Sequence, residues 1–223
     1  MNIPTSNPVD ETALKRLDPQ YALPAPIREL GSSERTGFFE HLVALETEDR
    51  YLRFGTPLSD TAIALYVERI DFSTDTVFGV FDDRLKLAAA GHFSPMPKAT
   101  GADGSRVRSA EFGLSVARDA RGRGLGTALF LRASSHARNL GITSLFMHCL
   151  SENRAMIRIA RKAGMQIQQT HGETDAYLAL EPGTMATAIE EGVQRQIALF
   201  DFAVKRQMLL ARKALQAVAA AGA

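Results

Sequence analysis

Between an alternating apolar run and a helical pattern stands Val116 to Thr127, VARDARGRGLGT, with glycines at 122, 124 and 126 and arginines at 121 and 123. Glycines leave the backbone bare, and the N–H groups of a first helical turn have no partner inside the helix. Such a turn can cradle a phosphate or pyrophosphate, with the helix dipole favouring the negative charge and Arg121 and Arg123 adding charge-assisted bonds. Three phosphate-binding patterns compete for it. A Walker loop requires Lys followed by Ser or Thr after the glycines, and none stands there. A dinucleotide fingerprint begun at Gly122 and Gly124 requires its third glycine where Thr127 stands. The pattern R-x-x-G-x-G is met by Arg121, Gly124 and Gly126. A glycine-rich connector that holds nothing is the plain alternative.

Other chemistries find less support. The lone Cys149 excludes an internal disulfide and a cysteine-rich zinc site. His41, His92, His136, His148 and His171 are scattered without metal-ligand spacing, so no metal is expected. His148 and Cys149, inside a strand pattern, read as packing residues. Among 223 residues, 26 Lys and Arg stand against 25 Asp and Glu, a net charge of +1. That balance argues against a protein that coats nucleic acid, and leaves room for a local basic pocket. No apolar run approaches the ~18–20 residues that span a bilayer. The opening MNIPTSNPVDE lacks the cationic and apolar regions of a secretory signal. The expectation is a soluble, cytoplasmic protein with neither nucleic acid nor membrane as partner.

The elements that must position the turn follow from periodicity. Residues 1–26 carry five prolines and little apolar pattern, and read as a flexible leader. IREL, at residues 27–30, reads as a short strand. Phe38, Phe39, Leu42, Val43 and Leu45 recur at helical spacing, and a second helix opens at Ser59 or Asp60 and runs through Ile63, Leu65, Tyr66, Val67 and Ile70. TVFGVFDD and KLAAAGHFS form a hairpin about Asp82 and Asp83, and residues 95–108 read as an exposed loop. The strand AEFGLSV at 110–116 leads into the glycine turn. A helix over about 125–139, a strand at 144–150, a helix over about 152–163 and a closing strand pair follow. Hairpins early and alternating strands and helices late predict an α/β fold: a mixed sheet with helices on both faces, partly parallel around the turn.

Strand AEFGLSV, the R-x-x-G-x-G turn, and the downstream series Asn153, Met156, Ile159, Lys162 and Gly164 resemble the acyl-CoA-binding signature of the GNAT superfamily of N-acetyltransferases. AEF, ENRAM, ARKAG and Arg50-Tyr51-Leu52-Arg53-Phe54 are similar to segments of the acetyltransferase domain of bacterial protein-lysine acetyltransferases. The resemblance spans residues 27–181 and implies a GNAT (acyl-CoA N-acyltransferase) domain there, followed by a helical extension over 182–223. It implies acetyl-CoA as co-substrate, with its pantetheine arm lying between strands 110–116 and 144–150, which splay apart. Leu114 and Val116 would then bind the cofactor, the Val116 N–H polarising the thioester carbonyl. Arg121, Gly122, Arg123, Gly124, Leu125, Gly126 and Thr127 would hold the pyrophosphate. Asn153 would bond the pantetheine arm, cap the following helix, or do both.

An amine acceptor has a pKa near ~10 and must lose a proton to attack. The resemblance makes Glu111 the catalytic base, helped by burial; a solvent-facing or salt-bridged strand Glu is the alternative. Ala160 stands where many members carry a Tyr that protonates the leaving thiolate, and Tyr177 and Tyr51 are candidate substitutes. Arg154, Arg158, Arg161 and Lys162 form either a solvated face or a contact to the CoA phosphates. Arg50 and Arg53 either line the acceptor side or anchor the loop after the first helix. The implied reaction is acetyl transfer from acetyl-CoA directly to a primary amine, on a small molecule or a protein lysine. The alternative is a catalytically weak CoA-binding sensor or assembly module of the same fold.

Residues 184–221 read as one long helix. Val193, Ile197, Phe200, Val204, Met208, Ala211, Leu215 and Val218 form an apolar seam that must be buried on the domain or on another subunit. Its polar face mixes both signs of charge, which suits docking or a homodimer better than a membrane surface.

Overall fold

The computed structural model describes residues 26–97, 99–100, 106–170 and 172–221. The expected leader lies outside these, except for its last residue, as does His171. Seven strands form one sheet: β1 (Arg28–Leu30), β2 (Thr76–Phe81), β3 (Leu87–Pro95), β4 (Ser109–Val116), β5 (Ser144–Leu150), β6 (Gln166–Thr170) and β7 (Glu173–Ala179), in the order β1-β2-β3-β4-β5-β7-β6. Only β4 and β5 pair in parallel. A two-residue ribbon, Ala99–Thr100 with Arg106–Val107, stands within the segment expected to be all loop.

Strand alternation sends successive side chains to opposite faces, and each face has its own core. On one face Leu30, Val77 and Leu87 pack with α1 (Arg35–Val43) and α3 (Asp60–Glu68) through Phe38, Leu42, Ile63 and Val67. On the other, Phe78, Phe93, Phe112 and Leu114 pack with α4 (Leu125–Asn139) and α5 (Arg154–Lys162) through Leu129, Phe130, Met156 and Ile159. Ser59 caps α3 by accepting from the Ala62 N–H at 3.2 Å, as its position predicts.

One helix was not expected. Residues Thr47–Phe54 form α2, closed by Gly55 in the left-handed conformation. It has no fully buried residue, so apolar periodicity had nothing to reveal. Polar contacts hold it. Arg121 pairs with Asp49 at 2.6 Å, Arg118 pairs with Glu46, and Asn153 donates to the Leu52 carbonyl at 3.2 Å. Arg50 donates to the carbonyls of Val43, Leu45 and Leu58 and pairs with Asp60, which makes it the anchor of this corner.

The last helix, α6 (Met185–Ala221), has 37 residues, about 55 Å at 1.5 Å per residue. It docks on the domain, but not through the expected seam. Glu191 and Ala198 are buried, Phe202 stacks edge-on against Phe81 at 4.8 Å, and Lys205 donates to the Phe81 carbonyl at 2.8 Å. The seam residues Val193, Ile197, Phe200, Val204, Met208, Leu215 and Val218 all remain exposed. Of the two alternatives for the seam, burial on the domain does not occur, because charge, not apolar area, selects the docking stripe. Glu191 accepts from Arg132 (2.6 Å), His136 (2.7 Å) and Asn139 on α4. Among the described residues no helix is long and apolar enough to cross a membrane.

Candidate active site

The β4–β5 ladder is short. Ser109, Ala110 and Glu111 pair with Ser144, Leu145 and Phe146, and no pairing continues beyond them although both strands run on. The strands therefore part just after Glu111. Ala117 donates to Ala88 at 2.8 Å, so its backbone faces β3. Leu114 and Val116 lie an odd number of residues away and turn their N–H and C=O groups into the gap. An extended ligand can lie there as an added strand.

At the wide end of the gap, Gly122 and Gly124 take φ values of 78° and 77°, a conformation other residues adopt only with strain. This bend swings the chain from β4 into α4. Among the described bonds none uses the N–H groups of Gly122 through Thr127, and Ala128 is the first to donate back, to the Gly124 carbonyl at 3.0 Å. Six donors without a described partner thus stand at the end of α4 where its dipole is positive. Gly126 serves packing: a Cβ there would meet the Ile159 Cδ1 at 2.9 Å.

Two predicted ligands are committed elsewhere. Arg121 is held by Asp49 and donates from Nε to the Val116 carbonyl at 3.2 Å, so it braces the turn against α2. Asn153 accepts from the Met156 N–H at 3.1 Å as the cap of α5 and gives its amide hydrogen to Leu52. Of the two readings for Asn153, the structure carries the cap. Among the described residues Arg123 bonds only the Asp119 carbonyl, at 3.3 Å, and it is exposed.

Glu111 stands on the α1–α3 face at the point where the strands part. It is exposed, against the burial expected of it, and it lines a cleft of about 380 Å³. His148 also lines this cleft, exposed and bonded to Asp175 at 2.7 Å, so it is not a packing residue. Cys149 is buried, and burial, reinforced by the charge of Asp175, pushes its thiol pKa up, away from the reactive thiolate. Ser115 is occupied by His41, whose ring also bonds the Leu87 carbonyl; burial holds His41 below the usual histidine range. Tyr177 bonds Gln166 on the neighbouring strand β6. Ala160, at the position of the missing Tyr, is 1 % exposed and part of the core.

Sequence reasoning missed the other wall of the cleft. Tyr66 of α3 bonds His92 Nδ1 at 2.7 Å, and His92 Nε2 bonds Asp75 at 3.1 Å. Burial holds His92 below the usual histidine range, with Asp75 opposing. Arg53, the second arginine of the R-Y-x-R-F segment, reaches the same cleft and donates to the Tyr66 hydroxyl at 3.2 Å. The signal was present in β3, where His92 and Ser94 interrupt an otherwise apolar run on the side facing Gly113 and Glu111.

A splayed parallel strand pair opening onto an unpaired N–H cradle is the arrangement the sequence resemblance implied, and a family model decides the matter. The model described as an acetyltransferase (GNAT) domain matches residues 27–166. The chain belongs to the GNAT acetyltransferase family. No match is found among curated proteins. Among solved structures, the GNAT domain of S. lividans PAT is 21% identical, with TM-score 0.57, and the match covers 69% of this chain and 89% of that one. A GNAT phosphinothricin acetyltransferase from Sinorhizobium meliloti, in complex with AcCoA, is 18% identical with TM-score 0.53, over 71% of this chain and 89% of that one. Spermidine N-acetyltransferase from Vibrio cholerae, in complex with CoA and spermine, is 18% identical with TM-score 0.52, over 69% and 94%. At these identities the likeness shows the shared GNAT fold.

A metal reading can be weighed on the described residues. Glu29, His136 and Glu191 bring three ligand atoms within 4.8 Å of one another. Arg132 already bridges both carboxylates at 2.6 Å and Arg195 adds a second guanidinium to Glu29, so a cation entering there would meet two fixed positive charges.

Proposed function

We propose that this GNAT domain transfers an acetyl group from acetyl-CoA directly to a primary amine, with residues 27–181 as the catalytic unit and α6 as its extension. The observation that carries this reading is Glu111 standing at the last paired position of β4, at the closed end of the splay. The N–H groups of Gly122 to Thr127, with Arg123 beside them, hold the pyrophosphate. The backbone of Val116 bonds the pantetheine arm. Of the two cofactor-binding positions we take Leu114 rather than Val116 as the polarising donor, since five residues of strand place Val116 about 16 Å from Glu111 and three place Leu114 about 10 Å away. The Leu114 N–H therefore polarises the thioester carbonyl. Glu111, directly or through a water, takes the proton that the amine loses as its nitrogen attacks that carbon. The carbon–sulfur bond breaks, and the thiolate, whose conjugate thiol has a pKa near ~8.5, departs without a dedicated acid, consistent with Ala160.

Thiol release from acetyl-CoA over an amine panel tests this. Glu111→Gln is expected to lower kcat by about 10²–10³-fold while leaving CoA affinity unchanged. CoA binding with no release for any amine would instead identify a sensor.

A homodimer through the exposed seam of α6 follows from its charge order. Among the described residues, the exposed charges of α6 without an ion-pair partner in the chain are acidic near its start (Glu190) and basic toward its end (Arg206, Arg212, Lys213). Antiparallel pairing with a second copy brings opposite signs together and covers Phe200 and Val204 at its centre. Sedimentation is expected to give a dimer for the full chain and a monomer when Phe200 and Val204 are both changed to Glu.

A further inference from the structure

The acceptor end of the cleft is built around one guanidinium. Arg53 projects from the last turn of α2, the helix clamped by Asp49, Glu46 and Leu52. Its guanidinium lies 4.8 Å from the ring centroid of Phe54 and 5.9 Å from that of Tyr66, two cation–π contacts that fix its plane. The Tyr66 hydroxyl accepts from Arg53 and donates to His92, and His92 bonds Asp75, whose other oxygen accepts from Ser94 at 3.2 Å. Side chains from α3, β3 and the loop before β2 thus lead to a single arginine. The strand beneath is cut to fit: a Cβ at Gly113 would fall 2.6 Å from three guanidinium atoms.

This investment leaves the charge unused. Arg50, Arg118 and Arg121, in the same corner, each pair with a carboxylate. Among the described residues Arg53 pairs with none, and its only described hydrogen bond goes to a neutral phenol. Asp75 lies two groups away and is spent on His92 and Ser94. An arginine held flat, half-buried and unpaired at the edge of a cleft offers the fork that binds a carboxylate through two parallel bonds.

Opposite charge stands beside it. Glu111 is two residues from Gly113 on the same face of β4, so the backbone positions that carry the base and underlie Arg53 are about 7 Å apart. An ammonium at Glu111 and a carboxylate at Arg53 span that separation when both belong to one small molecule. We propose that the acceptor is an amino acid or a similarly compact amine bearing a carboxylate, that Arg53 binds that carboxylate, and that Tyr66, His92 and Asp75 are positioning residues for Arg53. A polyamine, with a second cation where Arg53 stands, is disfavoured, and a lysine within a peptide has no carboxylate near its amine.

The inference rests on the acetyl-transfer reading, and the test separates the two. Thiol release is measured with free amino acids, with the matched amines in which hydrogen replaces the carboxylate, with spermidine and with a lysine peptide. Amino acids are expected to be preferred over their matched amines by roughly 30- to 100-fold in kcat/KM, as charge-assisted bonds to one group allow. Arg53→Gln is expected to erase that preference by raising KM for amino acids while leaving kcat within a few-fold and the matched amines unaffected. Arg53→Lys should restore part of it. Tyr66→Phe is expected to raise the amino-acid KM about five- to tenfold with kcat unchanged, a split that general loss of structure would not produce. Equal use of amino acids and matched amines, or preference for spermidine, overturns the proposal and leaves acetyl transfer standing. If no amine releases thiol, acetyl transfer itself falls, and the site is then read by thermal shift of the CoA-loaded protein with the same amino acids. A shift abolished by Arg53→Gln supports the anion site; no shift removes it.

Discussion

Two arginine-centred networks occupy opposite faces of the sheet, and they differ in how they end. On the α4 face, the side chain of Arg132 is 2% exposed and bonds Glu29 and Glu191 at 2.6 Å each, while Glu191 also takes bonds from His136 and Asn139. Every charge there meets a charge of the same chain. On the α2 face, Asp75, His92 and Tyr66 lead to Arg53, and the chain stops at the wall of a cleft with Glu111 in view. A closed network fastens one element to another; an open one leaves binding capacity for something that arrives. The first attaches α6, the second equips the cleft.

The sharpest break is expected on the closed side. Arg132→Ala leaves Glu191 buried beside α4 with its principal cation gone, at a cost of about 3–5 kcal/mol. Urea denaturation should show this loss while kcat per folded molecule stays near the wild-type value. The open side should show the converse. Gly113→Ala drives a methyl group against the guanidinium of Arg53, so acceptor kcat/KM is expected to fall roughly tenfold or more, with unfolding changed by no more than about 1 kcal/mol. A weaker test uses pH. Burial on its own would raise the Glu191 carboxyl, but hydrogen bonds from His136, Asn139 and Arg132 outweigh it and hold the pKa at about 2, below the ordinary 4.5. A depressed folded-state value means stability fully present above pH 4.5 and lost as pH falls toward 2. The denaturation midpoint should therefore decline across that window, and Glu191→Gln should flatten the decline from a lower starting point.

Much of the fold was legible because its signals are local. The glycines at 122 and 124 stand where the chain must turn through positive φ, the 125–139 pattern matches α4 residue for residue, and Asn153 and Ser59 cap the helices their positions announce. Glu111 was singled out through the family resemblance, and strand alternation gave its face of the sheet but not its exposure at the cleft. What stayed hidden was held by polar contacts between distant segments. Helix α2 has no buried apolar residue, so nothing in its own composition separates it from a loop; Asp49, Glu46 and Leu52 become anchors only when Arg121, Arg118 and Asn153 arrive from positions 72 to 101 residues further on. Tyr66 read as one apolar position of α3, and His92 as one scattered histidine, because a hydrogen bond across 26 residues leaves no periodic trace.

The same division explains the tail. That residues 185–221 form one helix follows from local propensity and spacing, which every residue carries with it. Which stripe faces the domain depends on what the partner surface offers. Arg132, His136 and Asn139 converge there on a single carboxylate, and satisfying buried charges outweighs covering a regular row of apolar side chains. Periodicity can name a seam, but a charge pattern completed by chain segments far apart in sequence selects the contact, and that becomes visible only when the sheet has brought those segments together.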